Sequence, residues 1–517
     1  MHDLHEKKFD TLTRAAYWLK NDISNYGIAF YLVVALFSLW YVTMCLNSGA
    51  DQSTVHIQMI SAILILAGVG IYWGYKQKID YQRVILILII LGCIMRIGYC
   101  AYNDVFVRAH DLWNFDDYEA AGKGTYLMGL IKYKRLPDSY DHQYYHQPFS
   151  YIASAIGSLI IKPFLDDQST WMLGSAGKVA NCFASCAVLI MTPKLCKELK
   201  LPKIATVFST ALVAAFPGFL LISGRIGEDA YSCLFALACI LYTLKWEKNH
   251  SWKNTILLAL FFGFGVNTNL TCFLPIVYTL FVVIKSMYTQ RTRIKEILCK
   301  GGVFTAIFLS TGFWFYLRNY IMFKMPLTYT YKQEVGGPLY TGDKTIWERF
   351  IPFDFGNIAA TPYAHAYGDH NLPTYFLKSE LFGEFEYGNI TEWVPYVLLY
   401  INIFITILAF LMIILKVVRR KTEKGCMSIY FMLLVYLLFT AYSYYTYPFG
   451  CSMDARYFLI FTLLKAVFVG IMISDFYKLK HDENAKLRII GIVLSKLLTM
   501  ACLVFVAFAC GMFCIIV

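Results

Sequence analysis

Residues 108–148 read RAHDLWNFDDYEAAGKGTYLMGLIKYKRLPDSYDHQYYHQP. They form the first long polar stretch of a chain that is otherwise mostly apolar. Acids, tyrosines and three histidines (His110, His142 and His146) are concentrated there. Of 517 residues, 58% are hydrophobic and only 15% charged, whereas a soluble domain carries about a quarter charged residues. The apolar residues fall in runs of roughly 17 or more, long enough to cross a bilayer as helices. The expectation is an all-α polytopic membrane protein in which 108–148 is a loop held against the membrane surface.

The apolar runs place spans at roughly 28–46, 57–75, 84–101, 175–192, 204–222, 229–245, 254–270, 272–285, 301–317, 396–416, 428–446, 457–475 and 490–516, about thirteen transmembrane helices. Segments 1–27, 76–83, 194–203, 245–253, 285–300, 416–424 and 478–488 hold 28 of the 46 lysines and arginines. All seven fall on one side if the spans alternate, which puts the N-terminus in the cytoplasm. The net charge of +12 is thereby a topology signal, and nucleic acid is not an expected partner. Counting 149–162 as a further span would reverse every later loop. At about 14 residues it is short for one, so it is read as an interfacial helix on the outer face. The pair 254–270 and 272–285 meets at Asn267-Thr-Asn-Leu-Thr and suggests two half-length helices with a polar turn.

The domain reading is a cytoplasmic amphipathic N-terminus, 1–27, followed by one transmembrane domain, 28–517. Residues 1–27 put a charged amphipathic stretch first and no small-residue cleavage site follows Leu46, so they are expected to lie on the cytoplasmic face, with Phe9, Leu12, Ala16 and Leu19 on one side. Two long external loops, 102–174 and 318–395, contain interfacial helices and are too short for cores of their own. The 15 cysteines show no paired spacing and read as small apolar residues within spans.

Five constellations carry possible chemistry, all on the predicted outer side. Arg108, His110 and Asp111, with Asp116, Asp117 and Glu119 behind them, place carboxylates where partial desolvation can raise a pKa toward that of a general base. Gln143-Tyr-Tyr-His146-Gln-Pro148 puts a histidine before a helix-starting proline. His110, His142 and His146 with Asp111 are possible ligands of a divalent metal, although their spacing is not that of a metal motif. Ser223-Gly-Arg-Ile-Gly-Glu228-Asp229 takes two acids into a span, as a cap on the helix dipole or as active-site acids. Arg318, in Trp314…Arg318-Asn319, and Arg456, in Asp454-Ala-Arg456-Tyr457, lie opposite the positive excess. Each can snorkel, form an ion pair or clamp a phosphate. In the second loop Lys378 can reach a phosphate and Glu380, Glu384 or Glu386 a sugar, unless that helix only packs on the surface.

In this order the motifs resemble those of membrane glycosyltransferases of the GT-C superfamily, in the branch of bacterial relatives of protein O-mannosyltransferases and aminoarabinose transferases. The resemblance runs from about residue 84 to 475. That family places an acidic pair in the first external loop, then His-Pro-Pro, Ser-Gly…Asp, Trp…Arg-Asn and Asp-x-Arg-Tyr. The counterparts are His110-Asp111, His146-Gln147-Pro148, Ser223-Gly224…Asp229, Trp314…Arg318-Asn319 and Asp454-Ala-Arg456-Tyr457. Here the acidic pair is His-Asp, Gln147 replaces the first proline, and two further spans precede the matching region. The resemblance implies a GT-C fold and an inverting transferase in a bacterial plasma membrane. It would take a monosaccharide from a polyprenyl-phosphate donor and place it on a hydroxyl of a glycan, lipid or protein acceptor. Asp111 would be the base, with Asp229 the candidate second carboxylate. His110, His146, Glu228, Arg318, Lys378 and Arg456 would bind donor or acceptor. The alternatives are an oligosaccharide-lipid ligase and a lipid or glycan transporter. Mid-span charges, which a transporter needs, are confined to Arg96, Lys465 and Lys496.

Overall fold

Each apolar run of the sequence is occupied by helix in the computed structural model, which describes residues 27–49, 52–327, 329, 331, 333–351, 353–387, 391–418 and 427–516. The expected amphipathic helix before Gly27 and most of the basic segment 416–424 lie outside the described residues. Among the described residues there is no strand, only one isolated bridge between Tyr340 and Phe449.

Among the described residues nine helices are long and apolar enough to cross a membrane, or up to eleven if two bent pairs each count as one span. The expected thirteen are not reached. Trp252–Val266 has only 15 residues. Asp229–Lys248 has 20 but carries an acid at one end and three charges at the other. The half-length pair is also corrected, because Leu270–Thr289 alone is long enough to span. Phe149–Ile161, with 13 residues, stays too short to cross, in keeping with its reading as a non-spanning helix.

Both bends have a local cause. Lys203–Ala215 and Pro217–Gly224 meet at 52°, where Pro217 removes an amide and forces Phe216 to an extended ψ of 121°. Arg291–Gly312 and Trp314–Phe323 meet at 51°, where two backbones nearly touch. A Cβ on Gly263 would fall 1.8 Å from Thr311 Oγ1, and one on Gly312 3.1 Å from the Gly263 carbonyl.

The connections sort into two ends. At one end Lys248 pairs with Glu198 at 2.8 Å and Lys285 with Glu247 at 2.6 Å, while Lys416 pairs with Asp475. These contacts join the lysine-rich segments to one another. At the other end lie both long loops and the turns 223–229, 267–271 and 447–457. Arg318 donates to the Pro137 carbonyl, the Phe149 amide to that of Asn267, and the Thr341 amide to that of Pro448.

The helix Leu372–Phe382, expected on the surface, is instead buried over most of its length. Glu380 reaches into the bundle and pairs with Lys465 of Leu459–Leu479. Asn402 and Thr462 donate to the Glu380 carboxylate at 2.6 and 2.8 Å. The lysine that looked like a stray mid-span charge is thus half of a buried ion pair, with Glu380 fully covered. Removing one partner leaves the other charge unpaired and costs about 3–5 kcal/mol, whereas replacing both by apolar groups is often nearly neutral. Lys465→Met should therefore lower the thermal midpoint of the purified protein sharply, and adding Glu380→Leu should restore most of the loss. A single variant as stable as the parent would show that the pair does not hold the helix.

Candidate active site

The loop after Tyr81–Tyr102 is pinned where it carries His110 and Asp111. The Lys123 amide donates to the Asp111 carbonyl and the Gly124 amide to that of Leu112, both at 3.0 Å. A side chain on Gly124 would meet the Asn114 and Leu112 carbonyls at 2.7 and 2.8 Å, so the two strands of the loop can lie this close only with glycine there. Arg108, Asp111 and Trp113 sit in the left-handed region at φ 54°, 57° and 52°. Such conformations are costly outside glycine and persist where surrounding structure holds them.

Two groups of ionisable side chains meet at this end. In the first, His110 stands between two carboxylates, with Nδ1 3.7 Å from Glu384 Oε2 and Nε2 3.8 Å from Asp454 Oδ2. Asp454 is fully buried and capped by its neighbour. Its Oδ1 accepts from the Arg456 amide at 3.0 Å, and its Oδ2 lies 3.2 Å from Arg456 Nε. Arg456 Nη2 donates to the Tyr457 hydroxyl at 2.7 Å. The Ser379 hydroxyl accepts the Ala455 amide at 3.0 Å, joining this turn to the buried helix that leads to Glu384.

In the second group Glu228 is the hub. Lys123 Nζ lies 3.3 Å from its Oε1, His146 Nδ1 3.7 Å from the same oxygen, and the Tyr151 hydroxyl donates to Oε2 at 3.1 Å. Burial alone would raise the Glu228 carboxyl, but the charges of Lys123 and Arg456, with the His146 ring beside it, hold it well below the usual carboxylate range. His146 is pushed down to about 4, first by burial and then by Lys123 and Arg456, against the opposing pull of Glu228 and Asp111. Burial and the cations Arg456, Arg225 and Lys123 likewise depress His110 well below its ordinary value. Both imidazoles are therefore neutral near pH 7.

Asp111 is half-buried and lies within electrostatic reach of His146, Tyr145 and Cys451. No hydrogen bond or ion pair engages its carboxylate among the described residues. Asp229 is buried within reach of Glu228 and Arg456. Asp111, Asp229 and an arginine therefore belong to one neighbourhood, and Arg225 belongs to it too. Its guanidinium lies 4.6 Å from the Phe385 ring centre and that of Arg108 lies 4.3 Å from the Tyr387 ring. Arg225 Nε and Nη2 and Arg108 Nε are buried without a hydrogen-bond partner among the described residues.

Three expectations are corrected. The Lys378 ammonium is fully buried and donates to the Asn357 carbonyl at 3.1 Å and to its side chain, so it is not free for a phosphate. Arg318 donates to the Pro137 carbonyl at 2.6 Å and to Asn319 Oδ1 at 2.9 Å, which ties the two long loops together. The metal set His110, Asp111 and His146 does not assemble. The group close enough to share an ion among the described residues is His110, Glu384 and Asp454. It suits an ion poorly, because the Arg456 guanidinium stands 3.2 Å from the Asp454 oxygen that would ligate it and the two ring nitrogens of His110 face different carboxylates. Sequence reading missed Lys123, Tyr151 and Arg225. Only Arg225 carried a local signal, as a cation beside the acids of 223–229.

The architecture and the site together describe a polytopic membrane protein with an ionisable centre buried at one end. Residues 174–315 match the family model of dolichyl-phosphate-mannose-protein mannosyltransferase. That segment holds Arg225, Glu228 and Asp229 but not Asp111 or Arg456. The resemblance to GT-C glycosyltransferases is thus carried by the sequence match as well as by the order of motifs. Among solved structures the chain is similar to the Archaeoglobus fulgidus oligosaccharyltransferase in its apo form, at 14% identity and a TM-score of 0.48. The match covers 84% of this chain and 56% of that one, so the chain spans little more than half the length of that protein. No curated protein matches the chain.

Because His146 is neutral when folded and titrates near 6.5 when unfolded, the unfolded chain binds the extra proton between about pH 6.5 and 4. Stability contributed by this residue is full above that window and falls on acidification, by about 2 kcal/mol at pH 5. The thermal midpoint should therefore drop from pH 7 to pH 5, and the drop should shrink in His146→Gln. An unchanged drop in that variant would mean that other groups carry the acid sensitivity.

Proposed function

We propose that this chain is an inverting glycosyltransferase. It takes a monosaccharide from a polyprenyl-phosphate donor and places it on an acceptor hydroxyl at the end opposite the basic loops, which is the outer face by the positive-inside rule. One observation carries the reading. An unengaged, half-buried carboxylate, Asp111, shares its neighbourhood with Arg225, whose Nε and Nη2 are buried without a hydrogen-bond partner among the described residues, and with Arg108, whose Nε is.

In this reading the acceptor oxygen attacks C1 of the donor sugar and its proton passes to Asp111. The C1–O bond to the lipid phosphate breaks on the opposite side, which inverts the configuration. The departing phosphate is already a stable anion, so it needs positive charge rather than a proton. Arg225 supplies that charge with Arg456 behind it, in place of the Arg318 and Lys378 expected from sequence. Glu228 offsets Lys123, and Asp229 lies beside Arg456 as a second carboxylate. The likeness to mannosyltransferases over 174–315 makes a mannosyl donor the first to try.

Purified protein incubated with radiolabelled dolichyl-phosphate mannose should release dolichyl phosphate in the presence of an extract containing acceptors. Asp111→Asn should fall by a hundredfold or more, as for loss of a general base, and Arg225→Ala by at least tenfold. Normal turnover by Asp111→Asn would remove the base assignment. Consumption of an oligosaccharide-diphosphate lipid instead would indicate a ligase.

A further inference from the structure

The tyrosines of 108–148 are not used by the chemistry above. Tyr118, Tyr126, Tyr133 and Tyr144 line one cleft of about 400 Å³, with Arg135 and Asp138 in the same lining. Such a volume lies within the roughly 300–1,000 Å³ of small-molecule sites. The cleft follows from the local fold. Lys123–Met128 runs into a π-helical turn, Gly129–Tyr133, and Lys134 in the left-handed region at φ 54° ends it. Tyr118 and Tyr133 lie 6.1 Å apart and are 39% and 56% exposed, so their rings are accessible. Tyr126 and Tyr144 meet edge to face at 6.0 Å, and the Tyr144 hydroxyl donates to Thr125 at 3.0 Å.

The lining chemistry narrows the occupant. Tyrosine faces offer flat apolar surface and their hydroxyls offer donors and acceptors at the edge. Arg135 and Asp138 pair at 3.2 Å, so the rim presents polar groups of both signs with little net charge. A lipid tail would not call for the ionic rim, and a phosphate would find the Arg135 charge already offset by Asp138. A neutral sugar suits both halves, with C–H faces against the rings and hydroxyls toward the rim.

The cleft also backs onto the site. The Tyr126 ring stacks on Tyr151 at 4.5 Å, and Tyr151 donates to Glu228 at 3.1 Å. The Tyr126 hydroxyl donates to the His146 carbonyl at 3.3 Å. Two stacked tyrosine rings, Tyr126 and Tyr151, therefore stand between the cleft and the Glu228 group. On its far side Arg318 holds the carbonyl of Pro137, another lining residue.

We infer that this cleft is a subsite for a neutral sugar residue of the acceptor; that assignment to the acceptor rests on the transferase reading of the neighbouring site. The test uses the full chain in lipid nanodiscs, where no sugar-headed detergent competes. Saturation-transfer NMR is run with the methyl glycosides of mannose, glucose, galactose and N-acetylglucosamine. At least one should receive saturation through its ring C–H protons, and its affinity should fall at least tenfold in Tyr133→Ala and in Arg135→Ala. Both residues are exposed, so the variants should fold, and an unchanged thermal midpoint checks this. The binding glycoside is then offered as the headgroup of a diacylglycerol in the nanodisc. Tenfold tighter binding identifies a lipid-borne acceptor, and equal binding one in solution. No saturation by any of the four, or binding indifferent to both substitutions, overturns the subsite. Release of dolichyl phosphate without glycoside binding would sink the subsite and leave the transferase reading. Glycoside binding without donor turnover would do the reverse.

Discussion

A single buried arginine holds open the bend on which the site depends. Breaking a span at Pro217 strands the last carbonyls of Lys203–Ala215 where water cannot reach them, and an unpaired polar group there is expensive. Arg96, fully covered in the neighbouring helix Tyr81–Tyr102, meets that need. Its Nη1 donates to the Ala214 and Gly92 carbonyls at 2.9 Å, its Nη2 to Val213 at 2.8 Å and its Nε to Ser185 at 2.9 Å. Among the described residues the charge meets no carboxylate and is spread over carbonyl dipoles. Without the bend the chain would run straight through 217–224, and Arg225, Glu228 and Asp229 would not turn back into the site.

The turn beyond the bend is held by polar side chains from other segments. Ser223 donates to the Arg96 carbonyl at 3.1 Å. Asn103 donates to the Gly224 carbonyl at 3.3 Å, and Asn181 to those of Arg225 and Gly227 at 2.7 and 3.0 Å. Lys178 in turn donates to the Asn103 carbonyl at 2.7 Å. Gly224 is needed where the turn passes Tyr99, since a Cβ there would lie 2.8 Å from that ring. The turn is thus fixed from the spans 81–102 and 178–198 before any ligand arrives, which is what precise placement of Arg225 requires.

This division explains what could be read from the sequence. Apolar runs locate helices because a bilayer leaves backbone groups no other partner, and lysine clusters sort the ends because positive charge sets orientation. Both signals are local. The pairings that build the site are not: His110 meets Glu384 and Asp454, and Lys123 meets Glu228. Each partner lies more than a hundred residues away along the chain, and spacing carries no trace of it. Lys378 and Glu380 show the failure most clearly. They sit on a helix whose pattern resembles that of a surface element, yet it is wedged among spans and buried on most sides. An ionisable residue there is an anchor rather than a ligand. Broken spans escape for a related reason, since hydropathy averages over the kink that matters.

The pairing of charges in the site, rather than their sum, sets two guanidiniums apart from the rest. Asp454 is committed to Arg456 and Glu228 to Lys123. Arg225 and Arg108 are committed to neither acid. Their flat faces rest instead on Phe385 and Tyr387, two rings from the turn that follows Gly383. Gly383 stands at φ 61°, and a Cβ on it would lie 3.4 Å from Arg225 Nη2, so the turn crosses close over the guanidinium. Stacking on an aromatic ring uses the face of a guanidinium and fixes its plane, while the N–H edge remains available. A carboxylate from the protein in that position would have consumed the edge. The aromatic rings keep the arginines oriented without neutralising them.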